Sequence, residues 1–385
     1  MNIKTNPLLI YISVLSVFAC SNCMGAIDGA LSKIGEALQV NHTVALYAGS
    51  IAALASMFSS LILGMIVGKK VPYKAAAVFC AILVIVGGTA PFMATNFTTL
   101  LITRCFFGFG IGGLMCVQNP IATKLIPVEK RASILGIGTC VSFGFQCVLQ
   151  LVGGVLADVR WNYVFFTHLI LLLPLIVMII FLPKMEIDQM ESKQEKEGKL
   201  PITVILMCVV MGLVGLNLAP LLFGSAFYVA AIIDSATVAA VIAMLYSIGS
   251  MVGGLLYAKL YGILKRRSFT AFFIVGALGL FIGATADNII LLAIGFFIGG
   301  ISNACILAGM MMLFGLICNP SQLGFASALM MAFMNLGAFL CSSWESLIGM
   351  ITGDALYAPL YVGTVIFLLL ALILFLKPPF PKAKE

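Results

Sequence analysis

The chain has 385 residues, of which 62% are hydrophobic and only 9% charged, with a mean hydropathy of +1.17; this is too apolar for a water-soluble globular protein. Its net charge of +7 is spread over short loops between apolar runs, which is the pattern of membrane orientation and not of nucleic-acid binding. A helix needs about 20 apolar residues to cross the hydrocarbon, or about 30 with its loop, so this length holds about twelve crossings.

In chain order the expected spans are Leu8 to Ala30, Thr43 to Val67, Ala75 to Met93, Thr98 to Ile121, Ala132 to Ala157 and Trp161 to Leu182. A second set follows at Pro201 to Ala230, Ala236 to Leu260, Phe269 to Ala284, Asn288 to Leu316, Gly324 to Met350 and Leu356 to Leu376. The expected fold is all-α, with twelve transmembrane helices in two pseudo-symmetric six-helix bundles, residues 1–183 and 201–385. A charged cytoplasmic linker over 184–200 has the composition of a solvated segment. Val17-Phe18-Ala19-Cys20 fits a lipoprotein cleavage box poorly and the apolar run continues past it, so the first span reads as uncleaved.

With the N-terminus inside, Lys33 and Arg160 of the 21 Lys and Arg lie outside and Arg104 lies within the membrane, leaving 21 − 3 = 18 on the cytoplasmic side. Both termini are therefore expected in the cytoplasm. Ten of the eleven cysteines fall within expected spans, Cys318 falls in the inner loop after the tenth, and none lies in an outer loop, so no disulfide framework is inferred, and Cys20 and Cys23, without a second pair nearby, read as packing and not as a metal site. The outer-loop sequons at Asn41 and Asn96 read as chance matches.

Arg104 is the organising residue. A guanidinium inside an apolar helix costs at least about 2.5–3.5 kcal/mol on insertion scales, so it is expected to face a protein cavity and meet the solute. Gly108, Gly110, Gly112 and Gly113 leave a face on which another helix can pack closely. Asp28 in span one and Glu345 in span eleven are the other intramembrane ionisable candidates, assigned here to proton coupling. Desolvation and a nearby arginine pull the protonation of such a carboxylate in opposite directions, so a solute that displaces the arginine would shift it. Asn22, Gln146, Asn217 and Tyr246 are expected to join Arg104 in lining the binding cavity. Gln118, Asn119, Gln150, His168, Asn303, Asn335 and Trp344 read as helix-to-helix contacts. Lys69, Lys70, Lys74, Arg131, Arg266 and Arg267 are expected at a cytoplasmic gate. They follow an internal repeat in which Gly64 to Lys74 matches Gly254 to Arg267, and Pro127 to Ser133 matches Pro320 to Ser327.

Five stretches in the right order resemble the major facilitator superfamily over nearly the whole chain. They are Gly29 to Leu38, Gly64 to Lys74, Arg104-x-x-x-Gly108-x-Gly110, Pro127-x-Glu129-x-Arg131 and Val159 to Phe165. The fourth-span pattern is similar to that of the proton-coupled branches. The chain departs from the family in three places. Gly68 and Gly262 stand where the loop signature has aspartate, Phe107 where the fourth span has glutamine, and Gln146 and Gln150 where the antiporters have prolines.

The resemblance implies a secondary transporter in the cytoplasmic membrane, working by alternating access and moving a small organic solute with protons, with a lean towards export of drug-like or metabolite compounds. Uptake or exchange of an organic anion clamped by Arg104 is the rival reading. A non-transporting sensor or lipid scramblase on the same fold is the rival of another class. No metal cluster, nucleophile set or phosphate loop points to an enzyme. The expected partners are the solute, protons and membrane lipids, with no cofactor, no nucleic acid and a monomeric state.

Overall fold

The computed structural model describes residues 6–185 and 200–379. The expected linker therefore lies, for its greater part, outside the described residues, as do Lys382 and Lys384 of the basic tail. The chain divides into two compact units, Met1–Gln194 and Glu195–Glu385.

Unit 1 runs α1 (Pro7–Ser21), a 3-10 segment Met24–Ala30, α2 (Leu31–Ala37), α3 (His42–Ala45), α4 (Tyr47–Ile66) and α5 (Tyr73–Thr89). It continues through α6 (Phe97–Leu125), α7 (Val128–Val159), a 3-10 segment Trp161–Leu171 and α8 (Leu172–Phe181). Unit 2 holds α9 (Ile202–Phe223), α10 (Ser225–Ala230), α11 (Ala236–Leu264), α12 (Ser268–Thr285), α13 (Ile289–Ile317), α14 (Pro320–Thr352) and α15 (Ala358–Leu376). Among the described residues the single β feature is an isolated bridge between Val67 and Val71.

Among the described residues, ten helical stretches are long and apolar enough to cross a membrane, and Pro7–Ala37, bent by 42°, makes an eleventh. One of the ten, Ala236–Thr285, has 50 residues. It holds two helices, because Lys265 at φ +47 ends α11 before α12 begins. Counted so, the described residues hold 11 + 1 = 12 stretches of that kind.

The helices start where short polar side chains replace the missing backbone acceptors of a first turn. Asn96 caps α6 by accepting from Thr99 N at 2.8 Å, and Asn288 caps α13 by accepting from Leu291 N at 3.0 Å. Asn41 likewise accepts from Val44 N at 2.9 Å. Both sequon asparagines are thus helix caps.

The first span is not one helix as expected. The α1 helix stops at Ser21, and the chain continues as a 3-10 segment through Asp28 before α2. The smooth apolar run carries no signal for this break, since hydropathy reports what is buried and not the hydrogen-bond pattern. Trp161–Leu171, expected as regular helix, is likewise 3-10.

The glycine face of α6 admits two neighbours. A Cβ on Gly108 or Gly112 would stand 2.2 Å from the carbonyl oxygens of Ala52 or Ser56 on α4, while one on Gly110 would stand 2.6 Å from Cys80 O on α5. Unit 2 repeats the device. A Cβ on Gly300 of α13 would meet Tyr246 O of α11 at 2.1 Å, and Ser250 Oγ donates to Gly300 O at 3.2 Å. Outward faces rich in exposed Leu, Ile and Phe, such as Leu173, Ile180, Leu369 and Leu376, suit a hydrocarbon surround.

Candidate functional site

Arg104 stands on the second turn of α6, between α4 and the 3-10 segment that follows α1. Its Nε donates to Ala48 O at 2.9 Å and its Nη2 to Met24 O at 3.4 Å, while Nη1 has no partner. The guanidinium carbon lies 4.1 Å from the centroid of Phe107. Backbone carbonyls and a ring face are the contacts a buried guanidinium can make without a counter-ion. The side chain has 0% exposure. Arg104 is therefore enclosed by unit 1 and does not open onto a vestibule as expected, because Gly108 and Gly112 draw α4 close and bring Ala48 over it.

Asp28 is also fully buried, and its polar neighbour is the Gln150 amide, although neither carboxylate oxygen makes a hydrogen bond of full geometry. Asp28 and Arg104 interact electrostatically without an N···O contact inside 4.0 Å. The 3-10 geometry of Met24–Ala30 matters here, since it places Met24 O on Arg104 and Asp28 beside the glutamines of α7.

Two glutamines of α7 stand beside Asp28. Gln146 and Gln150, one helical turn apart, lie on one face of a 32-residue helix with no proline in it. A Cβ on Gly25 would stand 2.6 Å from Asp28 Oδ2, 2.7 Å from Gln146 Nε2 and 2.8 Å from Gln150 Nε2. Three polar side chains thus close over one glycine. Gln146 Oε1 remains without a partner in this buried place. Gln150, read from sequence as a helix contact, belongs with Asp28 and Gln146. Its spacing of four from Gln146 was the signal.

His168 completes the surround of Arg104. Its ring meets Phe107 at 5.1 Å and 84°, its Nδ1 lies 3.2 Å from Phe165 O, and its buried Nε2 has no partner. Gly87 and Gly88 on α5 make room, for their Cβ atoms would stand 2.5 Å from Phe107 N and 2.4 Å from His168 Cδ2.

The other expected residues are placed elsewhere. Asn22 is the half-buried C-cap of α1. Asn217 and Tyr246 belong to unit 2, where Asn217 Nδ2 donates to Leu213 O at 2.8 Å and Tyr246 packs its backbone on Gly300. Glu345, on α14, is 2% exposed, and its Oε1 accepts from the Cys341 thiol at 3.5 Å.

Among the expected gate residues, Lys69, Lys70, Arg266 and Arg267 are exposed. Lys74 caps the end of α8, donating to Ile179 O at 2.8 Å and Leu182 O at 2.5 Å, and Arg131 Nε donates to Ile126 O at 3.1 Å. The two glycine departures are unlike. Gly68 has φ +83, and a Cβ there would meet the Tyr73 hydroxyl at 2.4 Å, whereas Gly262 lies within α11 with nothing within 4 Å. The described residues hold no group of three His, Cys, Asp or Glu able to bind a metal.

The family model for the Major Facilitator Superfamily matches residues 13–234 and 202–385. MFS transporter L2 of Phoma sp. is 30% identical over 149 residues, 37% of this chain and 24% of that protein. The multidrug efflux pump SdrM of Staphylococcus aureus is 25% identical over 146 residues, 35% of this chain and 32% of that protein. These matches span about a quarter to a third of the curated relatives' lengths. Among solved structures, a D-xylose-proton symporter has a TM-score of 0.77 at 14% identity over 98% of both chains. The nucleoside transporter NupG has a TM-score of 0.77 at 13% identity over 96% of this chain and 100% of that one.

Proposed function

This chain belongs to the major facilitator superfamily, a family of multi-pass membrane transporters and not of enzymes, and from that premise we propose that it is a proton-coupled secondary transporter. It carries a small organic solute across the cytoplasmic membrane by alternating access, with both termini inside, and its direction is export. The lean to export is supported by its likeness to an efflux pump, and the orientation by the count of basic residues.

One observation carries the reading. Asp28 and Arg104 are both buried and electrostatically coupled, yet they stop short of an ion pair, so that Asp28 has the Gln150 amide as its polar neighbour and Arg104 Nη1 is left without a partner. A buried charge left unpaired costs several kcal/mol, so this pair is a place where adding or removing a proton changes the balance of forces on three helical segments. Arg104 is enclosed, so it acts through Asp28 and the glutamines in this state and reaches solute only after the site opens. Glu345 is the second coupling carboxylate, in unit 2. The carrier works with protons, solute and lipid as its partners, as a monomer.

The test is solute movement in proteoliposomes under an imposed pH gradient. Gradient-driven flux that collapses with a protonophore supports the reading, and flux indifferent to the gradient overturns it. The unpartnered Nη1 favours one rival, exchange of an organic anion clamped by Arg104. That rival requires flux driven by trans anion alone, while a sensor or scramblase gives no solute flux at all.

A further inference from the structure

The glycines of α6 leave a recess in unit 1 as well as close contacts. Gly108 and Gly112 face α4, while Gly110 and Gly113 face Cys80 of α5. On a helix turning by about 100° per residue, Cys105, Phe106 and Phe109 point into the sector between those two neighbours. The α4 and α5 helices each pack along α6 but hardly touch one another, so that sector stays open. Ser59 Oγ fastens α4 at its edge by donating to Phe109 O.

The result is a groove of about 500 Å³, bounded by Leu54 and Phe58 of α4 and by Phe79 and Leu83 of α5, with Phe106 and Phe109 of α6 beneath. Phe58, Phe79 and Phe106 are each more than half exposed, so the groove opens sideways into the surrounding hydrocarbon. The Cys105 sulfur is the one side-chain heteroatom in its lining. A water, an ion or a hydrogen-bonding solute would lose its partners on entering, and the few placed polar groups of an ordinary solute pocket are missing. Hydrocarbon loses nothing there. A convex face such as that of Leu173 on α8, 68% exposed, offers a lipid chain contact on one side, whereas three helices surround a chain in the groove.

Length and depth select the occupant. The groove runs from Ile51 to Phe58 on α4, about 10 Å of helix, which is too short to seat a spanning helix of a second copy. Cys105 comes nine residues after the capping Asn96, about 13 Å along α6 at the rise of an α-helix. The chains of one leaflet fill about 15 Å, half of the hydrocarbon core. A lipid whose head lies at the Asn96 end of α6 therefore brings the far half of its chain to the groove without leaving the surface.

We propose that this groove binds the terminal half of a phospholipid acyl chain from the leaflet at the Asn96 end of α6. The bound chain fills one flank of the α4–α6 contact that brings Ala48 O onto Arg104. The site is independent of the solute carried, so it stands or falls apart from the transport reading.

The test is photolabelling of purified full-length protein in phosphatidylcholine vesicles. One probe is a phosphatidylcholine with a diazirine at the end of an acyl chain, and the other carries it next to the glycerol. After illumination, adducts are mapped by mass spectrometry. The chain-end probe is expected to mark the groove segments of α4, α5 and α6 at least fivefold more than the Leu173 face of α8, and the glycerol-side probe to show no such enrichment. Ala55→Phe and Leu83→Trp, which fill the groove from different helices, each reduce the enrichment at least fivefold. Labelling at α8 and a single size-exclusion peak show that each variant is folded, and two variants keep the test open if one is not. Groove labelling no higher than at α8, equal enrichment with both probes, or undiminished enrichment in the folded filling variants overturns the site. Linking of Cys105 between two copies by a short bismaleimide also overturns it, since a second copy then covers this face.

Discussion

Phe107 lies under the guanidinium of Arg104, with 4.1 Å between the ring centroid and Cζ, at the position where the family's fourth-span signature has glutamine. The ring takes over part of the solvation that a polar neighbour would otherwise give, and His168 presses on it edge-on. Phe107→Leu removes the cation–π contact and destabilises the protein by about 0.5–2 kcal/mol. Thermal unfolding in detergent measures this, and a double-mutant cycle with Arg104→Lys isolates the coupling between the two side chains.

Replacing Arg104 itself separates folding from function. Arg104→Ala abolishes gradient-driven flux while the protein still elutes as a single species in size-exclusion chromatography. Arg104→Lys does little better, because a lysine ammonium cannot hold Ala48 O and Met24 O and lie flat on Phe107 at once. Flux equal to the parent in Arg104→Ala removes this residue from the mechanism.

Asp28→Asn keeps the size of the side chain and removes its titration. Solute exchange down its own gradient then continues, while the dependence of flux on pH flattens and the pH gradient no longer concentrates solute. An unchanged pH profile moves the coupling role to Glu345. Gly25→Ala tests the surround of the same carboxylate, for the added methyl pushes Asp28 Oδ2, Gln146 Nε2 and Gln150 Nε2 apart. The coupling ratio falls at least twofold while expression holds, since the displaced atoms are the ends of flexible side chains.

The long helices and the close face of α6 were legible because both rest on composition: runs of apolar residues for the one, four glycines within six positions for the other. The break at Asn22 was not, since the apolar run is continuous across it and only the hydrogen-bond geometry changes. The site was legible in its charges, because intramembrane Asp28 and Arg104 are costly and rare. It was not legible in its closure. Whether an arginine faces a vestibule or carbonyl groups depends on how near α4 comes, and Gly108 sets that distance only once its partner Ala52 is known. Basic residues at loop ends show only their charge in the sequence, and that Lys74 and Arg131 serve nearby carbonyls is seen only once the helix ends are placed.

The glycine stripe is tested by size. Gly112→Val places a branched side chain against Ser56 O, where even a Cβ would stand at 2.2 Å, so α4 and α6 are forced apart. Overpacking of this kind costs about 1–3 kcal/mol or more. Expression as a single folded species falls sharply. Gly254→Ala, on a helix face with nothing within 4 Å, is tolerated in the same assay.

The twin departures from the loop signature answer to one substitution in opposite ways. Gly68 adopts φ +83, where a side chain costs about 1–2 kcal/mol, and the Tyr73 hydroxyl already fills the place its Cβ would take. Restoring the family's aspartate as Gly68→Asp is therefore destabilising, and adding Tyr73→Ala recovers the steric part of the loss but not the backbone part. Gly262→Asp sits in helical backbone facing open space and lowers stability by about 0.5 kcal/mol or less. Thermal unfolding of the three variants decides the matter. Equal destabilisation by Gly68→Asp and Gly262→Asp, or no recovery in the Gly68→Asp, Tyr73→Ala pair, contradicts the assignment of Tyr73 as the group that excludes aspartate from this loop.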